Sequence, residues 1–289
     1  MPSEESSGEA QAPKGGRNIP AAIGVGVLLL GALAVGLLWV PWFFIFLAAA
    51  ALALGVIEVH QALLRKGFQA QVACIVVGTV VSVLGGYVTA RMDVGLPPAA
   101  FAVICVAGTF LACLIALLFR RNPEGFIRDV AASALIITYI PLMGIFVPLL
   151  MAAPHGNRRF VVVIFCIVAA DTGAYVVGSL CGRHKMAPAI SPSKTWEGFA
   201  GSMVAAGLVG AVAAVWGLGA PWWLGLLLGL CISPAATLGD LVESQIKRDV
   251  GIKDMSNFLP GHGGVMDRLD SMLVAVPVGW LVLHLSLGG

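Results

Sequence analysis

Charged residues are scarce in this chain: they make up 11% of its 289 residues, against 59% for hydrophobic residues. A mean hydropathy of +0.95 excludes an ordinary soluble domain. The formal net charge of +2 is too small to indicate a nucleic-acid partner. Apolar runs of about 20 residues recur along the chain, and each is long enough to span a bilayer core. The composition therefore predicts an integral membrane protein that does not bind nucleic acid.

Three motif classes are missing as well. The six cysteines form no CxxC pair, which argues against a disulfide framework or a zinc knuckle. The chain lacks the alternating pattern of barrel strands, so helices are the expected spanning elements. It also lacks a GxxxxGKS or GxxxxGKT loop, which excludes a P-loop enzyme. These absences leave an all-α polytopic membrane helix bundle as the predicted fold.

Nine apolar runs predict about nine transmembrane helices. They cover about residues 19–40, 41–63, 68–90, 98–119, 130–153, 160–180, 198–219, 221–246 and 265–287. If the N-terminus is cytoplasmic, 14 of the 17 Lys and Arg residues fall on the cytoplasmic side, as expected for a membrane protein. An odd number of spans then places the C-terminus outside.

The composition divides the chain into three parts. Residues 1–18 are rich in Ser, Glu, Gly and Pro and predict a disordered cytoplasmic tail, not a cleaved signal peptide. Residues 19–158 have few charges within their apolar runs and predict a scaffold of membrane helices. Residues 159–289 bring polar side chains into the helices and predict a catalytic part with a site facing the cytoplasm.

A few scaffold residues are polar or break helices. Glu58 and His60 lie near the cytoplasmic end of the second predicted span. We interpret them as a local pair or as side chains that snorkel to the interface. Pro141 and Pro148 predict a kink in the fifth span, which neighbouring helices can tolerate.

The segment Asp240–Asp270 concentrates the charge, with six of the 15 acids, four of the 17 bases and one histidine. A charge at the centre of a membrane helix costs about 2.5–3.5 kcal/mol on insertion scales, so this cluster needs a water-filled, protein-lined or ion-compensated site. Asp240, Ser244 and Lys247 share one helix face at spacings of four and seven residues. Grouped carboxylates suit Mg²⁺, and adjacent bases suit a polyphosphate, so the segment indicates phosphoryl or nucleotidyl transfer.

Two segments further upstream add candidate groups. Asp171 lies in an otherwise apolar run, where a carboxylate is a functional hypothesis, although a hydrogen-bonded packing role is the alternative. Glycines 173, 178 and 182 predict close helix packing around it. The loop Gly182–Gly201 brings hydroxyl groups and Lys194 to the start of a helix, which predicts either a phosphate site or a plain capped loop.

The pattern between Ser244 and Asp270 resembles the full signature of CDP-diacylglycerol synthases, also called phosphatidate cytidylyltransferases. The matching letters are SxIKR, then KD, then HGGVxDRLD. The segments SPSKTWEG (191–198) and DTGAY (171–175) are also similar to this family. Ser193 stands where the family usually has lysine, so one positive charge is missing from the expected nucleotide site.

The resemblance implies a reaction of CTP with phosphatidate that gives CDP-diacylglycerol and pyrophosphate for phospholipid biosynthesis. It further implies a Mg²⁺ requirement, with a second cation left open, and a homodimer in the cytoplasmic membrane of a bacterium, with dimer contacts expected in the scaffold. Two alternatives stay open: a CTP-dependent kinase of a polyprenol or related lipid alcohol, and an ion or solute transporter.

Residue chemistry and the resemblance together predict the site residues. The predicted metal ligands are Asp267, Asp270, Asp240 and Asp171. The predicted catalytic groups are three of these, Asp267, Asp270 and Asp240, together with Lys247, Arg248, Arg268 and His262, the last of which donates to a phosphate or fixes the turn. The predicted substrate-binding residues are Ser191, Lys194, Thr195, Ser244, Lys253, Gly263 and Gly264.

Overall fold

The computed structural model describes residues 19–92, 94–120, 124–258 and 263–288. The expected disordered tail, residues 1–18, lies outside them. The described helices are α1 (Ile19–Leu38), α2 (Pro41–Leu64), α3 (Val72–Arg91), α4 (Pro98–Leu118), α5 (Phe126–Tyr139), α6 (Pro141–Gly144), α7 (Phe146–Ala152), α8 (Gly156–Cys181), α9 (Trp196–Ala213), α10 (Trp222–Val250) and α11 (Met266–Leu287). Two short strands, β1 (Lys185–Ala187) and β2 (Ser191–Thr195), lie between α8 and α9.

Eight helical segments of the described chain are long and apolar enough to cross a bilayer. They are α2, α3, α4, the run α5–α7, α8, α9 with its π-helical extension Ala214–Leu218, α10 and α11. This confirms the predicted all-α polytopic membrane bundle. The first predicted span is helical too, but only its part Gly26–Leu38 counts as an apolar helix, and that part is short for a crossing. The ninth crossing, and the position of the C-terminus that depends on it, stay predictions.

The fifth predicted span is broken into three helices. Breaks at Ile140 and Ile145 separate α5, α6 and α7. Pro141 lies in the first turn of α6, where its missing N–H leaves no gap in the hydrogen bonding, and so the break precedes it. Pro148 lies inside the first turns of α7 and causes no further break. The predicted kink is therefore confirmed at Pro141.

The helices α8, α9 and α10 pack at very short distances. A Cβ atom on Gly173 of α8 would lie 2.7 Å from the carbonyl oxygen of Gly201 in α9. A Cβ atom on Gly229 of α10 would collide with the carbonyl oxygen of Ala206, also in α9. Small residues allow such approach in membrane proteins, as predicted for Gly173. This packing fixes the three helices that form most of the site.

The segment predicted as the loop Gly182–Gly201 contains an antiparallel hairpin. Lys185 pairs with Thr195, and Ala187 pairs with Ser191, with an irregular register between them. The backbone N–H of Trp196 then donates to the carbonyl of His184 at 2.9 Å, which joins the hairpin to the start of α9. The hairpin therefore presents β2 to the neighbouring helices as a defined wall.

Candidate active site

A cavity of about 620 Å³ lies between the C-terminal half of α8, strand β2, the start of α9, the second half of α10 and the start of α11. Seven predicted site residues line it: Asp171, Lys194, Thr195, Asp240, Asp267, Arg268 and Asp270. Ser193 lines it as well. We call it the polar cavity. The structure thus brings all four predicted metal-binding carboxylates to one space, although they come from three helices.

A second, larger groove of about 730 Å³ lies between the start of α8 and the end of α9. Its lining is mostly apolar, and Arg158 is its one charged residue among the described lining residues. None of these described lining residues carries a carboxylate. Its size alone does not make it a candidate for phosphate chemistry, so the polar cavity is the candidate active site.

Asp267 is almost buried, and protein donors contact both of its carboxylate oxygens. Its Oδ2 atom accepts from the backbone N–H of Gly264 at 2.8 Å and of Met255 at 3.0 Å. Its Oδ1 atom accepts from Lys247 Nζ at 2.8 Å. Asp267 therefore fixes the first turn of α11 to the end of α10 and to the segment that joins these helices, in addition to lining the polar cavity.

Lys247 is held between two buried carboxylates. Its Nζ atom lies 2.5 Å from Glu243 Oε2, one helical turn earlier in α10, as well as 2.8 Å from Asp267. Glu243 is fully buried, and neither of its carboxylate oxygens has a hydrogen-bond partner of acceptable geometry among the described residues. The Glu243–Lys247 contact is therefore an ion pair without good alignment. Removing one partner of such a buried pair is strongly destabilising.

Asp270 and Asp171 are far less constrained. Asp270 accepts only from the backbone N–H of the next residue, Ser271, at 2.6 Å among the described residues. Asp171 makes no hydrogen bond or ion pair with any described residue. It is exposed and lines the polar cavity. Electrostatic interactions link Asp270 with Asp240 and with Asp171. These carboxylates concentrate negative charge in the polar cavity.

Strand β2 supplies the basic side of the polar cavity. Lys194 Nζ lies 2.6 Å from Asp240 Oδ2, and Ser244 donates its hydroxyl to Asp240 Oδ1 at 3.1 Å. The Thr195 side chain accepts the backbone N–H of Gly198 at 3.1 Å and caps the N-terminus of α9. The structure therefore shows a helix cap at Thr195, which also lines the cavity, and the predicted phosphate site at this loop stays a prediction. Ser191 lies outside the lining residues, 3.4 Å from Ser193 between their hydroxyl oxygens.

Several other predicted residues lie around the cavity rather than in it. Arg248 is exposed, and its Nε atom donates to the carbonyl of Ile190 at 3.2 Å, which ties the end of α10 to the hairpin turn. Lys253 is exposed in the segment after α10. Ser244 and Lys247 do not line the cavity but contact carboxylates that do. His262 lies outside the described residues.

Gly263 and Gly264 precede α11, and the structure gives both a geometric reason. Gly263 has φ 82°, a left-handed conformation that favours glycine. A Cβ atom on Gly264 would lie 2.7 Å from Glu58 Oε2 and 3.0 Å from Asp267 Oδ2. Gly264 thus lets two carboxylates approach the start of α11 together, and its N–H is donated to Asp267.

Glu58, from the scaffold part of the chain, contacts the start of α11 beside the candidate site, which sequence reasoning missed. It is only 5% exposed, so the interpretation as a snorkelling side chain or a local pair with His60 is wrong. Its carboxylate accepts the backbone N–H of Val265 at 3.0 Å and of Met266 at 2.7 Å. It also accepts the Ser256 hydroxyl at 2.5 Å. A buried acid of α2 therefore caps the N-terminus of α11, and only its charge inside an apolar run could have indicated this.

The donor set of the polar cavity fits a hard cation. No three His, Cys, Asp or Glu side chains of the described chain are placed to hold a metal ion as a group. Mg²⁺ needs only one or two carboxylates, because water and substrate phosphates complete its coordination. The cavity offers carboxylates, and no histidine or cysteine is among its described lining residues, which does not suit a transition metal.

The fold and the cavity define a polytopic membrane protein with a polar, phosphate-compatible site between its last four long helices. The model of the Cytidylyltransferase family matches residues 20–286, and the chain belongs to this family. A protein of Mycobacterium leprae named phosphatidate cytidylyltransferase is 37% identical over 94% of this chain and 90% of its own length. Proteins of the same name from Mycobacterium tuberculosis and from a Synechocystis species are 35% and 33% identical, each over 94% of this chain and over 84% and 97% of their own lengths.

Proposed function

We propose that this protein transfers the cytidylyl group of CTP to phosphatidate and forms CDP-diacylglycerol and pyrophosphate. The observation that carries the proposal is the polar cavity, where four aspartates, Lys194 and Arg268 meet inside a membrane helix bundle of this family. A site that brings the triphosphate of CTP together with the phosphate of phosphatidate needs both positive side chains and hard oxygen ligands. The name of the relatives, phosphatidate cytidylyltransferase, supports phosphatidate as the acceptor of a cytidylyl group in such a site.

The reaction requires one displacement at phosphorus. A phosphate oxygen of phosphatidate attacks the α-phosphorus of CTP, a new P–O bond forms, and the bond from the α-phosphorus to the bridging oxygen breaks. That oxygen leaves with the electron pair as part of pyrophosphate. Phosphatidate is already an anion, so the step needs no strong general base. The main task of the protein is to hold two anions together in line.

The side chains of this chain divide that task. Lys194 and Arg268 are proposed to contact phosphate oxygens, and the Thr195 hydroxyl can donate to one while it still caps α9. Lys247 contacts the carboxylates of Asp267 and Glu243 and offsets part of their negative charge.

One or two of the carboxylates of Asp171, Asp240, Asp267 and Asp270 are proposed to hold Mg²⁺, with water and substrate phosphates completing its coordination. When bound there, Mg²⁺ would supply charge neutralisation for the phosphates and for the leaving pyrophosphate.

The first prediction concerns the product. The purified protein in detergent is expected to release pyrophosphate from CTP only when phosphatidate and Mg²⁺ are both present, because the phosphate charges must be neutralised before the anions can react. Pyrophosphate and CDP are measured separately, with EDTA in place of Mg²⁺ and with phosphatidylcholine in place of phosphatidate as controls.

Other products would overturn this proposal. CDP formed with a polyprenol would indicate a lipid kinase, and CTP left intact by a folded protein would exclude cytidylyl transfer. Pyrophosphate released in EDTA would refute the proposed Mg²⁺ requirement and leave the reaction itself in place.

Membrane orientation and assembly are part of the proposal. Lys66, two residues after α2, lies 3.3 Å from Asp249 in the last turn of α10. Lys247 and Arg248 lie in the same turn, so basic residues gather at the end of the bundle that holds the site. This supports a site that faces the bacterial cytoplasm. An alkaline phosphatase fused to the C-terminus is expected to be active, because the C-terminus is predicted to lie outside. A cytoplasmic reporter that fluoresces at the C-terminus would contradict this orientation.

Light scattering in detergent is expected to give the mass of a homodimer. The mass of a monomer would contradict the proposed assembly.

A further inference from the structure

A second cavity, of about 330 Å³, lies on the other side of α11 from the polar cavity. Residues of α2, α6, α7 and α11 form most of its wall, with Phe160 of α8 and Phe258. Arg268 is the one charged residue among the described lining residues, and every other lining residue is apolar. We call it the apolar cavity. It is unsuited to water or to a polar solute, because a buried polar group without a partner is costly.

Helix α11 forms the wall between the two cavities. Asp267, Asp270 and Ser271 face the polar cavity, whereas Leu269 and Leu273 face the apolar one. Arg268 and Met272, which are four residues apart and so lie on the same face, border both. The two cavities therefore adjoin at the first turns of α11, directly beside the proposed site of phosphate chemistry.

This arrangement fits one molecule that is ionic at one end and hydrocarbon at the other. An arginine can lay its aliphatic stem along apolar surface and direct its guanidinium to an anion. We propose that the apolar cavity receives one acyl chain of phosphatidate, while the phosphate of the same molecule lies in the polar cavity beside Arg268. This inference rests on the proposed function, because it assigns a part of its lipid substrate.

The apolar cavity would affect the orientation of the bound phosphatidate more than the affinity for it. Lipid tails are as apolar as leucine side chains, so a chain that moves from the bilayer into the cavity gains little hydrophobic free energy. A seated chain would instead fix the lipid phosphate relative to CTP, and small misplacements of reacting groups reduce rates strongly. We therefore expect changes in this cavity to alter the preference for acyl-chain length and not the KM for CTP.

Large side chains at Ala48 and Ala51 of α2, which line the cavity, test this expectation. Ala48→Phe and Ala51→Phe are expected to lower kcat/KM for dioleoyl phosphatidate about tenfold, in line with a small misplacement, and to leave dihexanoyl phosphatidate and the KM for CTP nearly unchanged. Ala53→Phe, on the same helix but outside the lining residues, is the matched control. Equal losses for both lipids, or an unchanged chain preference, would overturn the inference.

A labelling experiment on the wild-type protein avoids any folding defect of the variants. Phosphatidate with a diazirine near the end of one acyl chain is expected to label residues such as Met143 or Val147 after illumination, and excess phosphatidate should reduce the label while phosphatidylcholine should not. Label on Val168 or Phe199 of the polar cavity instead, or label that phosphatidate does not reduce, would reject this location. Failure of the proposed function is a separate result, because the wild type would then release no pyrophosphate with either lipid.

Discussion

Replacing Asp270 by asparagine is expected to lower kcat for cytidylyl transfer about 10³-fold, which corresponds to about 4 kcal/mol of transition-state stabilisation. Asp270 lines the polar cavity and accepts only the N–H of Ser271 among the described residues. Asparagine keeps that hydrogen bond through its carbonyl oxygen but removes the negative charge. The unfolding temperature of Asp270→Asn should therefore stay close to that of the wild type.

Asp267→Asn should differ from Asp270→Asn in its stability. Asp267 accepts from Lys247 and from the backbone N–H groups of Gly264 and Met255, so its loss leaves a buried lysine with an incomplete partner set. Breaking a buried ion pair costs about 3–5 kcal/mol. We therefore expect Asp267→Asn to lose activity and to unfold at a clearly lower temperature.

A pyrophosphate assay and a thermal unfolding scan on each variant check this pair of outcomes. Asp249→Asn is the matched control, because Asp249 is 63% exposed, pairs with Lys66 at the surface and does not line the polar cavity. Exposed pairs of this kind contribute about 0–1 kcal/mol, so this variant should behave as the wild type. More than a tenth of wild-type turnover in Asp270→Asn would exclude an essential role for its charge.

The transmembrane helices could be predicted because a bilayer leaves few alternatives. In a bilayer the backbone polar groups must be satisfied within the protein, so a run of about 20 apolar residues is helical along most of its length. Hydropathy does not predict where a helix ends. The run is predicted at 221–246, but α10 continues to Val250. Beyond the hydrocarbon core, helix ends depend on contacts such as Arg248 with the carbonyl of Ile190, and hydropathy does not report them.

The carboxylates of the site could be found for a related reason. A charge in an apolar run is costly, which singles out Asp171, and the concentration of charge between Asp240 and Asp270 singles out the acids of that segment. Their partners could not be found in this way. The sequence places Lys247 among the bases that suit a polyphosphate, but in the structure its ammonium group lies between Glu243 and Asp267. The phosphate role of Lys247 therefore stays a prediction. Its pairing with Glu243 and Asp267 depends on which side chains are buried together, and the sequence alone does not show this.

Replacing Glu58 by alanine is expected to lower kcat about 100-fold, the scale of a misplacement of about 1 Å among reacting groups, although Glu58 does not line the polar cavity. The carboxylate holds the N–H groups of Val265 and Met266 at the start of α11. Without it, these two donors and the Ser256 hydroxyl lose their acceptor, and each unsatisfied buried group costs about 1–3 kcal/mol. The first turns of α11 should then shift, together with the Asp267 and Asp270 side chains that they carry.

Glu58→Gln separates this positioning role from a general loss of stability. Glutamine keeps the size of the side chain and one acceptor oxygen, but its NH₂ group faces a donor and its charge no longer complements the helix N-terminus. We expect kcat between those of the wild type and Glu58→Ala. If Asp270 and its neighbours hold Mg²⁺, the Mg²⁺ concentration for half-maximal activity should rise as well.

The Mg²⁺ dependence distinguishes a positioning role of Glu58 from a general loss of stability. A variant that is merely less stable contains less folded protein, but its folded fraction keeps the Mg²⁺ requirement of the wild type. A variant with a displaced α11 binds the cation differently in every folded molecule. Gln61→Ala, an exposed position three residues further along α2, is the matched control and should change neither quantity. Wild-type kcat and Mg²⁺ dependence in a folded Glu58→Ala protein would show that the cap on α11 does not position the aspartates.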